Sequence, residues 1–195
     1  MKFILKIFLT FYLIIFTQIS SSQENVQYFP NKIFSENLKD NEFKVKWYSQ
    51  HLVSMDEPSL WIITENSDKE IYRLLWLRTF DSPVVIRLEI DRNSVKLFVK
   101  RTNGLGGYNA GSLINDLKYE ISRDSLNDFY DLLRNSKYWK LPTNKLVLGT
   151  DGAQWIIEGI KNGKYHLVDR YGGDEIRKLG LFLISISKLD YGNIY

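Results

Sequence analysis

Hydrophobic and polar positions between Ile71 and Thr102 predict three β-strands, over residues 71–80, 84–91 and 94–102, joined by tight turns at Asp81-Ser82 and Arg92-Asn93. If both turns are two-residue loops, counting outward sets Leu88 opposite Leu75 on one side and Leu97 on the other, with Ile86 between Leu77 and Val99. Ile86, Leu88 and Ile90 then share an apolar face with Val95, Leu97 and Val99, and a one-residue slip in either pairing would turn one strand's apolar set into water. The other face carries Trp76, Arg78, Arg87, Glu89, Lys96, Phe98 and Lys100, expected to point to solvent, with Glu89 opposite Lys96 as an ordinary cross-strand pair.

A glycine-rich link over residues 103–111 leads to a fourth strand, in which Leu113, Leu117, Tyr119 and Ile121 alternate. Ser122 then caps a helix to about Arg134, with Asp124 and Asp128 near its positive end and Leu126, Phe129 and Leu133 at helical spacing. Pro142 ends the next segment. Asn162-Gly163 closes a hairpin of residues 153–160 and 164–171, and Asp174 is expected to cap a last helix reaching about Leu189. Before the meander, Phe43, Val45 and Trp47 alternate with lysines and predict a short strand, and residues 51–59 are ambiguous. The order ββββ-α-ββ-α, with no crossover helix inside the first four strands, predicts an α+β fold: an antiparallel meander sheet with two helices packed on one face.

The extreme N-terminus is patterned differently. Lys2 and Lys6 precede an apolar run over residues 7–16, and Ser20-Ser21-Ser22 offers small residues for a signal peptidase, so residues 1–22 are expected to be a cleaved secretory signal with Gln23 as the new terminus. The run falls short of the roughly 20 residues that span a bilayer; an uncleaved signal would be the one membrane attachment expected. Residues 23–42 are a polar lead-in, and residues 43–195 form one α+β domain.

Removing the signal leaves 173 of the 195 residues and lowers the formal net charge from +3 to +1, because the segment takes two lysines and no acids. A near-neutral chain without a concentrated basic face gives no footing for nucleic-acid binding. Zero cysteines exclude disulfides and thiol chemistry, so stability must come from apolar packing, and export without cysteine suits a bacterial periplasm or exterior. Residues 179–186, too short to span, read as a buried helix segment. No cofactor is expected, and a monomer is.

Most candidate chemistry lies in the last hairpin. A two-residue Asn162-Gly163 turn sets Gly159 opposite His166, Ile157 opposite Val168 and Trp155 opposite Arg170; on the other face Glu158 opposes Leu167 and Ile156 opposes Asp169. Glu158 and Asp169 become diagonal neighbours, close enough to split their pKa values as an acid/base pair or to hold a cation or sugar hydroxyl. The plainer alternative pairs each with an arginine or lysine. His166, with room above its ring left by Gly159, resembles a general base and equally a core histidine with one bonded nitrogen. Trp155 and Arg170 could stack as a cation–π pair. Two separated histidines and no cysteine lack zinc-type spacing, while Asp151, Glu158 and Asp169 leave a calcium site open. The Gly104-x-Gly106-Gly107 run joins strand to strand and lacks the Lys-Ser/Thr of a nucleotide site, so its glycines are expected to supply positive φ in a wide turn.

Taken together, Trp47-Tyr-Ser-x-His-Leu, Glu57-Pro-Ser-Leu60, Tyr72-Arg-x-Leu-Trp-Leu-Arg78, Gly106-Gly-Tyr108, Asp151-Gly-x-x-Trp155-x-x-Glu158-Gly159 and Tyr165-His-x-Val-Asp-Arg170 resemble a family of small, uncharacterised exported bacterial proteins. The resemblance covers about residues 47–189 and implies an envelope setting without an assigned activity. Those proteins typically carry tryptophan and a serine-proline step where this chain has Tyr171-Gly-Gly. Three functions stay open: a non-enzymatic module binding a protein or glycan through Trp76, Arg78, Arg87, Phe98, Trp155 and Arg170; a small envelope hydrolase using Glu158, Asp169 and His166; and an immunity or inhibitor protein.

Overall fold

The computed structural model describes residues 26–145, 151–192 and 194–195; the expected signal, residues 1–22, lies outside the described residues. Two helices, α1 (Leu38–Ser54) and α2 (Leu60–Ile63), precede the strands β1 (Glu70–Arg78), β2 (Val84–Ile90), β3 (Val95–Thr102) and β4 (Leu113–Glu120). Helix α3 (Arg123–Asn135), the hairpin β5 (Ala153–Lys161) and β6 (Lys164–Tyr171), and helix α4 (Arg177–Ile186) follow. The six strands form one antiparallel sheet in the order β4-β3-β2-β1-β5-β6, which makes the protein an α+β fold with β1 inside the sheet and β4 and β6 at its edges.

Several local devices work as the residue types dictate. Ser122 accepts the Ser125 backbone N–H and starts α3. Asn162 and Gly163 adopt φ of 52° and 66°, and the resulting turn gives β5–β6 the counted register, Gly159 across from His166 and Ile156 across from Asp169. Asp174 departs from expectation. It lies in a short 3-10 turn with φ of 38°, α4 begins only at Arg177, and its carboxylate pairs with Lys145.

Both sheet faces are covered. On one, Tyr72, Leu74, Trp76, Ile86, Leu88 and Leu97 pack with Leu126, Phe129 and Leu133 of α3 and Leu179 and Leu183 of α4. On the other, Leu75, Leu77, Val85, Ile156 and Leu167 pack with Tyr48 and Leu52 of α1 and with Phe29 and Phe34 of the lead-in. This second layer overturns the expected solvated face. The Phe43–Trp47 alternation is not a strand: Asn37 caps a helix there, whose buried set is Asn41, Tyr48, His51 and Leu52, while Phe43 stays exposed. The 3.6-residue period ran through Tyr48, Leu52 and Met55, and the local alternation hid it.

The β1–β2 register also differs from the count. Leu88 faces Tyr72 and Leu75 faces Val85, a shift of three positions that moves Leu75 and Leu77 into the α1 layer and Trp76 and Arg78 to the α3/α4 side. The β2–β3 register, Leu88 with Leu97 and Ile86 with Val99, is as counted. The cause is a five-residue connection, 79–83, in place of a two-residue turn. It is held open by bonds to other loops: Thr79 N–H to Gly152 O (2.9 Å), Gly106 N–H to Asp81 O (2.9 Å) and Gly107 N–H to Thr79 O (3.1 Å).

The glycine run serves that docking, not positive φ. Gly111 has φ of 65°, whereas Gly104, Gly106 and Gly107 do not lie in the left-handed region. What Gly106 supplies is the absence of a side chain, since a Cβ there would sit 2.5 Å from Arg78 O. Backbone cannot yield as a flexible side chain can. Gly106→Ala is therefore expected to cost about 1–3 kcal/mol of stability, read as a lower urea midpoint with unchanged far-UV circular dichroism.

Candidate functional site

The expected binding residues are mostly interior. Trp76 is fully buried, its ring 5.3 Å from that of Trp155, with Arg78 stacked on it at 4.2 Å and bonded to Tyr191 O (2.7 Å). Arg87 donates to Glu57 Oε2 (2.8 Å) and lies over Phe98, which Lys118 covers from 5.2 Å. Trp155 receives Arg177 at 5.2 Å. The expected partner, Arg170, instead turns its guanidinium to Pro142 O (2.9 Å), Thr143 O (2.9 Å) and Glu175 (2.9 Å), where it holds the 142–143 segment to β6. These contacts follow from the second layer and the shifted register, and they leave Phe98 as the one half-buried member of the set.

Glu158 and Asp169 do share a sheet face, but each is saturated. Glu158 Oε2 accepts from Arg73 Nε (2.8 Å) and Nη2 (2.6 Å), and Oε1 accepts from the Tyr165 hydroxyl (2.8 Å). Burial raises its pKa, against the pull of the Arg73 guanidinium. Arg73 reaches Pro58 O (2.6 Å) and Glu57 (3.4 Å), and Glu57 also meets Arg87 and Lys100 (3.5 Å). The result is a dry knot of charge on the α1 side of the sheet. His166 lies on the opposite face, its Nε2 3.0 Å from Tyr138 O and its ring packed on Tyr138 and Trp139; burial lowers its pKa.

Asp169 occupies a different setting, the floor of an open cleft of about 870 Å³ between α1 and the β1–β5–β6 side of the sheet. Its Oδ2 accepts from Lys44 Nζ (2.7 Å) and the Tyr48 hydroxyl (3.1 Å), and Oδ1 accepts from Gln154 Nε2 (2.8 Å). Burial raises the Tyr48 pKa strongly, helped by the neighbouring Asp169 charge, so Tyr48 remains a donor to Asp169. The cleft's aromatic rim consists of Phe43 and Trp47 on α1 (rings 5.7 Å apart), Tyr108 from the glycine loop and Tyr171 at the end of β6. Trp47 Nε1 donates to Gly106 O (2.8 Å), which ties the α1 wall to the loop wall. Phe43 and Tyr108 are 65% and 60% exposed, so their faces are available to a ligand.

Asp169, Tyr108 and Trp47 stand in strings that the sequence singles out. Gln154, on a strand that is correctly expected, carries no signal of its own, and Phe43, Lys44 and Trp47 do not read as a site because their segment reads as a strand. Their signal was an i, i+4 aromatic pair, Phe43 and Trp47, on the side of a helix away from its buried stripe. No protein-family model matches this chain, and no curated protein matches it. Among the described residues, no group of His, Asp and Glu is arranged to hold a metal ion, and no helix is long and apolar enough to cross a membrane.

Two measurements test this electrostatic picture. Glu158→Gln leaves the Arg73 charge in a dry site with a poorer partner and should cost about 3–5 kcal/mol, whereas Arg73→Met combined with Glu158→Leu should recover most of that loss. Denaturant titration of the three chains decides it. His51, fully buried on α1, has its pKa driven down to about 4 by burial, against a weaker upward pull from the nearby Gly106 backbone. The unfolded chain takes up this proton near pH 6.5, so stability is complete above that value and falls towards pH 4, by at most about 3 kcal/mol from this group. The drop in stability between pH 7 and pH 4 should be correspondingly smaller in His51→Leu.

Proposed function

We propose that this protein is an exported, non-catalytic binding module of the bacterial envelope, and that its ligand is a glycan held in the cleft between α1 and the sheet. One observation carries the reading: exposed aromatic faces flank a floor of polar groups that are fixed in place by their own ion pairs. Sugar rings present apolar C–H faces to aromatic side chains and hydroxyls to amides and charges, and a concave site with a few rigid polar groups suits them. Lys44 and Gln154 are each bonded to Asp169, so a ligand meets oriented donors and acceptors and little ordering entropy is lost.

The same bonds weigh against hydrolysis. A general acid or base needs a carboxylate able to exchange its proton with the reacting group, and both Asp169 oxygens are engaged by protein donors while Glu158 lies outside the cleft lining. His166 belongs to the other face of the sheet. The exported setting rests on the signal-like residues 1–22 and on the family resemblance.

Calorimetric titration with envelope glycan fragments (muropeptide sugars and lipopolysaccharide core oligosaccharides) tests the reading. Binding should occur without turnover of the ligand. Tyr108→Ala and Phe43→Ala should each weaken it roughly three- to tenfold, the worth of one aromatic contact, with unchanged thermal midpoints. Saturable binding of unglycosylated peptides with no response to glycans would overturn the glycan assignment, and release of cleaved sugar would overturn the non-catalytic one.

A further inference from the structure

The two edges of the sheet are treated differently. Along β6, Asp169 N–H donates to Thr143 O (2.8 Å), Asn144 bridges Asp169 in parallel, and Arg170 grips the same segment. Beyond β4, no strand lies among the described residues, and its side chains alternate between exposed and half-buried. Ile121 N–H bonds Val95 O on β3, so the odd-numbered residues of the regular part of β4 turn their backbone groups inward. Asp116, Lys118 and Glu120 therefore turn theirs outward, without a backbone partner among the described residues. A bulge between Arg101 and Thr102 of the ladder ends the regular run near Ile114.

We infer that this edge pairs with the same edge of a second copy, giving a two-fold dimer with one continuous antiparallel sheet. The outward parity allows a limited set of two-fold registers. Centring on Asp116 or Lys118 would set like charges face to face. Centring on Leu117 pairs Asp116 with Lys118 of the second copy twice over, Leu117 with its own equivalent, and Asn115 with Tyr119. Opposite charges directly across an antiparallel pair stabilise it, like charges destabilise it, and the central Leu117 pair is of the closer, non-hydrogen-bonded kind. Charged edges ordinarily keep sheets apart. Centring on Tyr119 would also pair Lys118 with Glu120 twice, but it sets Asp116 and Leu117 opposite Ser122 and Ile121, beyond the end of β4 at Glu120. The Leu117 centre keeps Asn115 to Tyr119 within the strand on both copies. Lys118 is already drawn over the Phe98 ring at 5.2 Å, which holds its stem across the strand face. The occupant is a second copy of this chain, because the complementarity is of β4 with itself.

Sedimentation equilibrium of the purified protein tests this. The unaltered chain should show twice the monomer mass at micromolar concentration. Asp116→Lys alone and Lys118→Asp alone should each sediment as monomers, since each sets two like-charge pairs across the Leu117 centre. Mixed together they should restore the dimer, because one copy then offers two lysines and the other two aspartates. Both positions lie on an exposed face of an edge strand, and near-UV circular dichroism should be unchanged. A monomeric unaltered chain, a dimer insensitive to either substitution, or a mixture that stays monomeric would each overturn the pairing.

Discussion

Three cations on one face of the sheet, Arg73, Arg87 and Lys100, are withdrawn from water, and their need for counter-charge dictates where the N-terminal layer sits. Glu158 answers from within the sheet, but Glu57 must be brought from outside it, in the link between α1 and α2. Lys100 Nζ adds bonds to Met55 O (2.8 Å) and Asp56 O (2.9 Å), and Tyr28 donates to Glu57 O (2.9 Å), so the same few residues bind the lead-in, the end of α1 and the start of α2 to the strands. A buried ion pair is weak evidence for stability as such, since desolvation offsets most of its Coulomb gain. What it supplies is position: alternative placements of α1 would leave charges dry and unpaired, at several kcal/mol each. The cleft inherits its geometry from this constraint, because its α1 wall is built on the helix that leads directly into the Glu57 link.

The sequence was legible wherever one short-range device decided the structure. The Asn162-Gly163 turn, with its two left-handed residues, set every pair from Gln154–Tyr171 to Lys161–Lys164, and Ser122 started α3 on a hydroxyl cap. It misled wherever both faces of an element are buried. In β1, Ile71, Leu75 and Leu77 line one side together with Arg73, and Tyr72, Leu74 and Trp76 the other together with Arg78. Each side is apolar but for one buried arginine, so neither is marked as the solvated one, and the register rests on loop length. That loop is lengthened by bonds to Gly106, Gly107 and Gly152, contacts distant in sequence that no local pattern announces.

The same blindness governs the site. Trp76, Arg78 and Arg87 read as a solvated face because charged residues are seldom fully buried, and that rule fails where charges partner one another. Glu158 and Asp169 were found as neighbours correctly, yet whether they form a dyad depended on Arg73, Lys44 and Tyr48. Of these, Lys44 and Tyr48 lie on a helix more than a hundred residues away. Proximity of carboxylates is a property of the hairpin; their ionisation and their access to a ligand are properties of the layer packed on it.

How a sheet ends follows from the same competition between pairing and water. At β6 the chain returns upon itself, and residues 142–144 supply backbone carbonyls and an amide bridge, with Arg170 satisfying both Pro142 O and Thr143 O. That edge is closed by a strap which also contributes to the cleft rim through Asn144. Among the described residues, the β4 edge receives no such strap. Its protection is electrostatic, a row of alternating charges over outward-facing amides, which excludes indiscriminate neighbours while leaving the backbone groups able to pair. An edge closed by backbone admits nothing; an edge guarded by signed charges admits a strand of the complementary pattern, and β4 read in the opposite direction is such a strand.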